Sequence, residues 1–161
     1  MQSKIMIVYF SATGTTADAA YMIADITGGK LYEIVPQQAY TSEDLNWHSK
    51  KSRSSVEMNN PQSRPALQED QEDIVSCKTI FIGYPIWWDL APRVINSFIE
   101  KHNLAGKTLI PFATSGGSSI NNSVVELRKA YYDLNWQDGR LLNGSSREAI
   151  QHWVEGILKM Q

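Results

Sequence analysis

The chain has 161 residues, 42% hydrophobic and 20% charged, and its 15 basic and 17 acidic side chains leave a net charge of −2 with histidine neutral. That length fits one domain over residues 1–161, large enough to fold without a metal or disulfide staple. The near-balanced charge argues against a nucleic-acid partner, 5 Trp, 7 Tyr and 4 Phe argue against disorder, and the longest uninterrupted apolar run, residues 5–10, is far short of the ~18 of a membrane span.

The first residues carry no charged leader or small-residue cleavage site, so 4–10 reads as a core strand rather than a signal peptide. Its near-continuous apolar character is that of a strand covered on both faces. Residues 15–26 follow at helical spacing and stop at Gly28-Gly29. Strands are predicted at 30–35, ended by Pro36, at 78–84 and at 107–114. Helices are predicted after Pro92, with Val94, Ile95, Phe98 and Ile99 on one face, and over 121–132. A short fifth strand around 140–142 precedes a last helix, opened by a capping box Ser145-x-x-Glu148 and burying Ile150, Trp153, Val154, Ile157 and Leu158. This alternation predicts an α/β fold: a doubly wound, three-layer, five-stranded parallel sheet in the order 2-1-3-4-5. The polar segment 37–74, with Tyr40 and Trp47, breaks the pattern. It has room for a helix within 43–57 and reads equally as a functional lid or as a poorly periodic helix plus loop.

Three loops leave predicted strand ends carrying candidate ligand groups. Ser11-Ala12-Thr13-Gly14-Thr15-Thr16 gathers hydroxyls and backbone N–H groups at a helix N-terminus, where an anion is favoured; by itself it serves equally as a rich helix cap. It lacks the lysine of a P-loop and the three glycines of a dinucleotide fingerprint. Pro85-Ile86-Trp87-Trp88-Asp89 places two adjacent indoles that cannot both enter one core, so at least one is exposed or covers something flat. Thr114-Ser115-Gly116-Gly117-Ser118-Ser119 offers close backbone approach and N–H donors, or a flexible cap. In an open parallel sheet, ligands bind outside strand carboxyl ends at the point where strand order reverses. The order 2-1-3-4-5 makes strands one, three and four neighbours, so the loops converge on one crevice suited to a phosphorylated planar heterocycle.

With these motifs the chain resembles the flavodoxin-like proteins. Ser11-x-Thr13-Gly14-x-Thr16 is similar to the flavodoxin phosphate loop. Gly83-Tyr84-Pro85-Ile86-Trp87-Trp88 and Thr114-Ser115-Gly116-Gly117-Ser118 resemble the two ring-binding loops of a short subfamily. The resemblance implies non-covalent FMN and electron transfer. The phosphate would lie on Ser11, Ala12, Thr13, Gly14, Thr15 and Thr16. The ring would lie between Pro85, Ile86, Trp87 and Trp88 on one side and Thr114, Ser115, Gly116 and Gly117 on the other. It also implies a cytoplasmic protein, monomeric or weakly dimeric, serving redox partner proteins or small electron acceptors. The alternative is an FMN-dependent NAD(P)H:quinone-type oxidoreductase, with 37–74 shaping a substrate pocket. One departure is that 85–89 contains no glycine, which many carriers place beside the flavin, and positive φ is costly for Ile or Trp.

Other candidates read as structural. Cys77 is the single cysteine, and His48, His102 and His152 lack metal-ligand spacing. His102 is expected to close a helix. Lys50, Lys51 and Arg53, with Glu43, Asp44 and Glu57 around them, read as a solvated mixed-charge face, and Asp89 as an acid near a helix start.

Overall fold

The computed structural model describes residues 4–69 and 74–159, so residues 70–73 of the irregular segment lie outside the described residues. A parallel sheet runs in the order β2 (Lys30–Glu33), β1 (Lys4–Tyr9), β3 (Cys77–Pro85), β4 (Thr108–Thr114). Its last position is shared by β5 (Asn135–Trp136) and β6 (Arg140–Leu141), both on β4. The strand order is thus 2-1-3-4-5, with the predicted fifth strand split. Pairing steps from Leu109↔Trp136 to Phe112↔Arg140, so the edge accommodates one extra residue.

Both faces of the sheet are covered, which is why its strands read as unbroken apolar runs. Met6, Val8, Ile80, Ile82 and Tyr84 pack beneath α3 (Arg93–Lys101) and α4 (Asn121–Ala130). Ile7, Tyr9, Phe81 and Phe112 face α1 (Thr15–Thr27) and α5 (Arg147–Lys159), which contribute Ala20, Ile23, Ile150, Val154 and Ile157. Trp153 and Leu158 pack at the border of this cluster rather than inside it.

Several boundaries differ from the sequence reading. Regular β2 ends at Glu33, although Ile34 N–H still donates to Tyr9 O at 2.8 Å. The helix predicted over 121–132 ends at Ala130. The last helix is capped by Ser146, not Ser145: the Ala149 N–H donates to Ser146 Oγ at 3.1 Å, and no glutamate stands at the position that would complete a box. Ser145 is instead taken up by the turn from Leu142, where Gly144 has φ 57°. His102 closes α3 through its backbone N–H on Phe98 O, with its ring against Phe98 and Tyr32. No described helix is long and apolar enough to cross a membrane.

Candidate functional site

The loops after β1, β3 and β4 come together at the carboxyl ends of the central strands around a crevice of about 610 Å³. Nine of the predicted site residues line it: Ala12, Thr13, Pro85, Ile86, Trp87, Trp88, Ser115, Gly116 and Gly117. Ser11, Gly14, Thr15, Thr16 and Thr114 do not line it, and their positions explain why.

In the first loop, Ser11 Oγ accepts from Gly14 N–H at 3.0 Å and Ala17 N–H at 3.1 Å, bracing the turn from behind. Gly14 takes φ 98°, a conformation open to glycine at little cost, and stands at the N-cap of α1. Ala17 is satisfied by Ser11, and the α1 ladder begins with Asp18 N–H on Gly14 O at 3.0 Å. The Thr15 and Thr16 amides are the helix's first donors, with no acceptor inside it. Thr13 and Thr15 expose their side chains. The Thr16 hydroxyl behaves differently: it is buried and shares a 2.7 Å hydrogen bond with the buried Thr114 hydroxyl, tying α1 to β4. Of Thr16, only the amide is available to an anion.

The second loop makes a tight turn. Trp87 N–H donates to Leu90 O at 2.9 Å and Leu90 N–H to Trp87 O at 3.0 Å, with φ 50° at Trp88 and 64° at Asp89. Positive φ at both central positions belongs to a type I′ turn, and holding a tryptophan there costs roughly 1–2 kcal/mol. The loop thus reaches positive φ without a glycine. The turn separates the two indoles, as their adjacency requires. Trp87 packs edge-on against Phe10 and Tyr40, with centroids 5.7 and 5.4 Å away, while Trp88 at the tip is 42% exposed. Asp89 is exposed; its backbone oxygen accepts from Asn122 Nδ2 at 3.2 Å.

The third loop is held in shape from two directions. Ser115 Oγ accepts from Gly117 N–H (3.0 Å) and Ser118 N–H (2.7 Å). Asn143, following β6, accepts from Ser115 N–H at 2.6 Å and donates its side-chain amide to Ser115 O. A Cβ built on Gly116 or Gly117 would meet nothing within 4 Å, and neither has positive φ. The fold itself therefore requires glycine at neither position, whereas close approach of a flat ligand would.

The sequence reading takes 37–74 as a lid or as shaping a substrate pocket but assigns none of its residues to the site, and this segment supplies a fourth wall. Leu45, Trp47 and Ser54, from the segment between β2 and β3, line the crevice opposite the strand loops. Among the described residues of this segment one short helix forms, α2 (Arg53–Met58), capped by Ser52. Tyr40 anchors the segment: its ring sits against Phe10 and Trp87, and its hydroxyl donates to Glu57 Oε1 at 2.5 Å. Burial, then that carboxylate, raises the Tyr40 pKa, so it stays a neutral donor. Arg53 is not part of a solvated face. Its guanidinium lies 3.8 Å over the Tyr40 ring, pairs with Glu57 at 2.9 Å and donates to Gln38 O at 2.7 Å. Lys50 and Lys51 are exposed, as is Trp47, whose ring lies 3.7 Å from that of His48. Tyr40 and Trp47 stood out as aromatics in a polar stretch, a signal for the wall; nothing in the spacing marked Leu45, Ser54 or Asn143.

Among the described residues, every one lining the crevice is uncharged. The arrangement can accept a planar ring between an aromatic and a glycine bank, and can offer a phosphate neutral hydroxyls and helix-terminal amides.

Comparison with known proteins agrees with this geometry. A crystal structure from Bacteroides eggerthii DSM 20697, provisionally described as a flavoprotein, is 59% identical; the match covers 98% of this chain and 99% of that one with a TM-score of 0.94. A similarly described structure from Bacteroides uniformis ATCC 8492 is 54% identical over 96% and 99% of the two chains, TM-score 0.93. A flavoprotein from Lactobacillus acidophilus NCFM, crystallised in complex with FMN, shares the fold at 20% identity over 87% and 93%, TM-score 0.73. No curated protein matches the chain. The family model described as flavodoxin matches residues 4–157, so the chain belongs to the flavodoxin family.

Proposed function

We propose that this chain binds one FMN non-covalently in the crevice and carries electrons between redox partner proteins or small acceptors. The observation that carries the reading is the convergence of three strand-end loops on one uncharged crevice, with an anion cradle at one end and glycines that only a close ligand requires. Bound FMN would supply the redox chemistry; the chain holds it and sets its surroundings. Thr13 and Thr15 would give hydroxyls to the phosphate, and Thr15 and Thr16 their amides. Ser11 and Gly14 shape that turn from behind. Pro85, Ile86, Trp87 and Trp88 would border the ring on one side and Ser115, Gly116 and Gly117 on the other, with Thr114 fixing the base of α1.

Thr13→Val is expected to weaken FMN about tenfold, the loss of one hydrogen bond to a charged group, and to leave riboflavin binding unchanged. Fluorescence titration of both flavins reads this directly, and equal losses would remove Thr13 from the phosphate site. Thr16→Val does not offer the same test, because its buried bond to Thr114 would be lost as well.

The lining, uncharged among the described residues, supports a carrier over a nicotinamide-dependent reductase, since a dinucleotide's phosphates would meet no cation among them. The expected result is that anaerobic FMN-loaded protein keeps its yellow absorbance when NADPH or NADH is added and loses it with dithionite. Rapid bleaching by either nucleotide would overturn the carrier reading in favour of a reductase.

A further inference from the structure

On the other side of the Trp87–Leu90 turn, a second cavity of about 300 Å³ lies between α3, α4 and the chain that follows α2. Its character is opposite to that of the crevice, for Arg93 and Arg64 both line it. Arg93 is only 9% exposed. Its Nη2 donates to Met58 O at 2.9 Å and its Nε to Glu57 O at 3.3 Å, the carbonyls at the end of α2, and its Nη1 has no partner among the described residues. Among the described residues no carboxylate pairs with it; burial first, and then the like charge of Arg64, lowers its pKa, with Tyr131 acting in the opposite direction. Arg64 spends Nε on Glu100 (2.8 Å) and Nη1 on two backbone carbonyls, leaving Nη2. Among the described residues Glu126 is the single carboxylate in the lining, and it is ion-paired with Lys129 at 3.5 Å.

A buried cation without a counter-charge is unfavourable, and two carbonyl dipoles offset only part of the lost hydration. Guanidinium donors match the oxygens of a carboxylate or phosphate, and a neighbouring arginine supplies the second half of such a clamp. We infer that this cavity is an oxyanion site, in which Nη1 of Arg93 and Nη2 of Arg64 hold the carboxylate or phosphate of a small molecule. The site is independent of the flavin crevice and stands whether or not FMN binds there.

The test uses the full-length, ¹⁵N-labelled protein with FMN saturating the crevice, and in parallel the Thr13→Val protein without flavin. Each is titrated with sodium phosphate and with sodium acetate against sodium chloride of equal ionic strength, while the Arg93 and Arg64 Nε–H resonances are followed. Saturable shifts beyond the chloride control are expected in both proteins. A response to phosphate alone assigns a phosphate ligand, and a response to both anions a general oxyanion site. Arg64→Gln, in a surface loop away from the α2 carbonyls, is expected to weaken the response about tenfold. No saturable shift with either anion, or an unchanged affinity in Arg64→Gln, overturns the site. A response present in the flavin-free Thr13→Val protein but absent from the FMN-saturated one would place the anion in the flavin crevice and overturn it equally.

Discussion

Gly83→Ala is expected to destabilise the protein by about 3 kcal/mol, the upper end of ordinary overpacking, and to lower the thermal midpoint by roughly 9 °C. Gly83 lies near the carboxyl end of β3, paired with Phe112 of β4 and bonded through its carbonyl to the Phe10 N–H at 3.0 Å. The Phe112 ring folds across the glycine, so that a Cβ there would stand 2.1 Å from its Cζ. Phe112 is itself fully buried against α1 and α5 and has nowhere to withdraw. The carbonyl bond to Phe10 also keeps β3 from shifting away without disturbing the start of the first site loop. Denaturant unfolding of Gly83→Ala, Phe112→Leu and the double variant checks this. The double variant should be more stable than the sum of the singles allows, because leucine vacates the space the new methyl needs. A Gly83→Ala cost below about 1 kcal/mol would mean that the ring is not confined over the strand.

The parts of this molecule that could be read from the sequence are those whose causes are local or follow from topology. Strands β1, β3 and β4 showed themselves because a strand covered on both faces must be apolar at every position, and residues 6–10 are all buried. The convergence of the 11–16, 85–88 and 114–117 loops followed from strand order alone, since neighbouring parallel strands must open their carboxyl ends to the same side. The fourth wall was hidden because long-range contacts that leave no periodic trace hold it in place. Arg53 reaches Gln38 O, Arg93 reaches Met58 O, and the Tyr40 ring lies against Trp87. An arginine hydrogen-bonded to distant backbone carbonyls looks, in sequence, like any surface arginine. The misplaced cap has a local cause: Ser145 and Ser146 are chemically alike, and the positive φ of Gly144 decides which one reaches the helix. The positive φ of Trp88, unfavourable for the residue alone, is held by the paired hydrogen bonds between Trp87 and Leu90.

Gly116→Val is expected to leave the free energy of unfolding within about 0.5 kcal/mol of the parent and to weaken FMN and riboflavin alike, by about a hundredfold. The two halves have separate causes. The backbone at Gly116 does not adopt positive φ, and a side chain there would enter open space, so folding gains or loses little. The surrounding loop keeps its form, because the Ser115 hydroxyl and Asn143 hold it without using the Gly116 amide. The same open space is part of the crevice, where an isopropyl group would stand in the path of a ring approaching the Gly116-Gly117 bank. Displacing or tilting that ring costs about 3 kcal/mol on the scale of a steric clash in a packed site, which is the hundredfold loss. The effect should not discriminate between the flavins, because the ring is common to both and the phosphate would lie at the other end, on Thr13, Thr15 and Thr16, under the proposed reading. In this respect Gly116→Val is the complement of Thr13→Val, and the pair separates the two ends of the site. Calorimetric titration together with denaturant unfolding decides the matter. A destabilised Gly116→Val protein would show that the fold needs this glycine after all. Undiminished binding of both flavins by a stable one would remove the Gly116-Gly117 bank from the ring site.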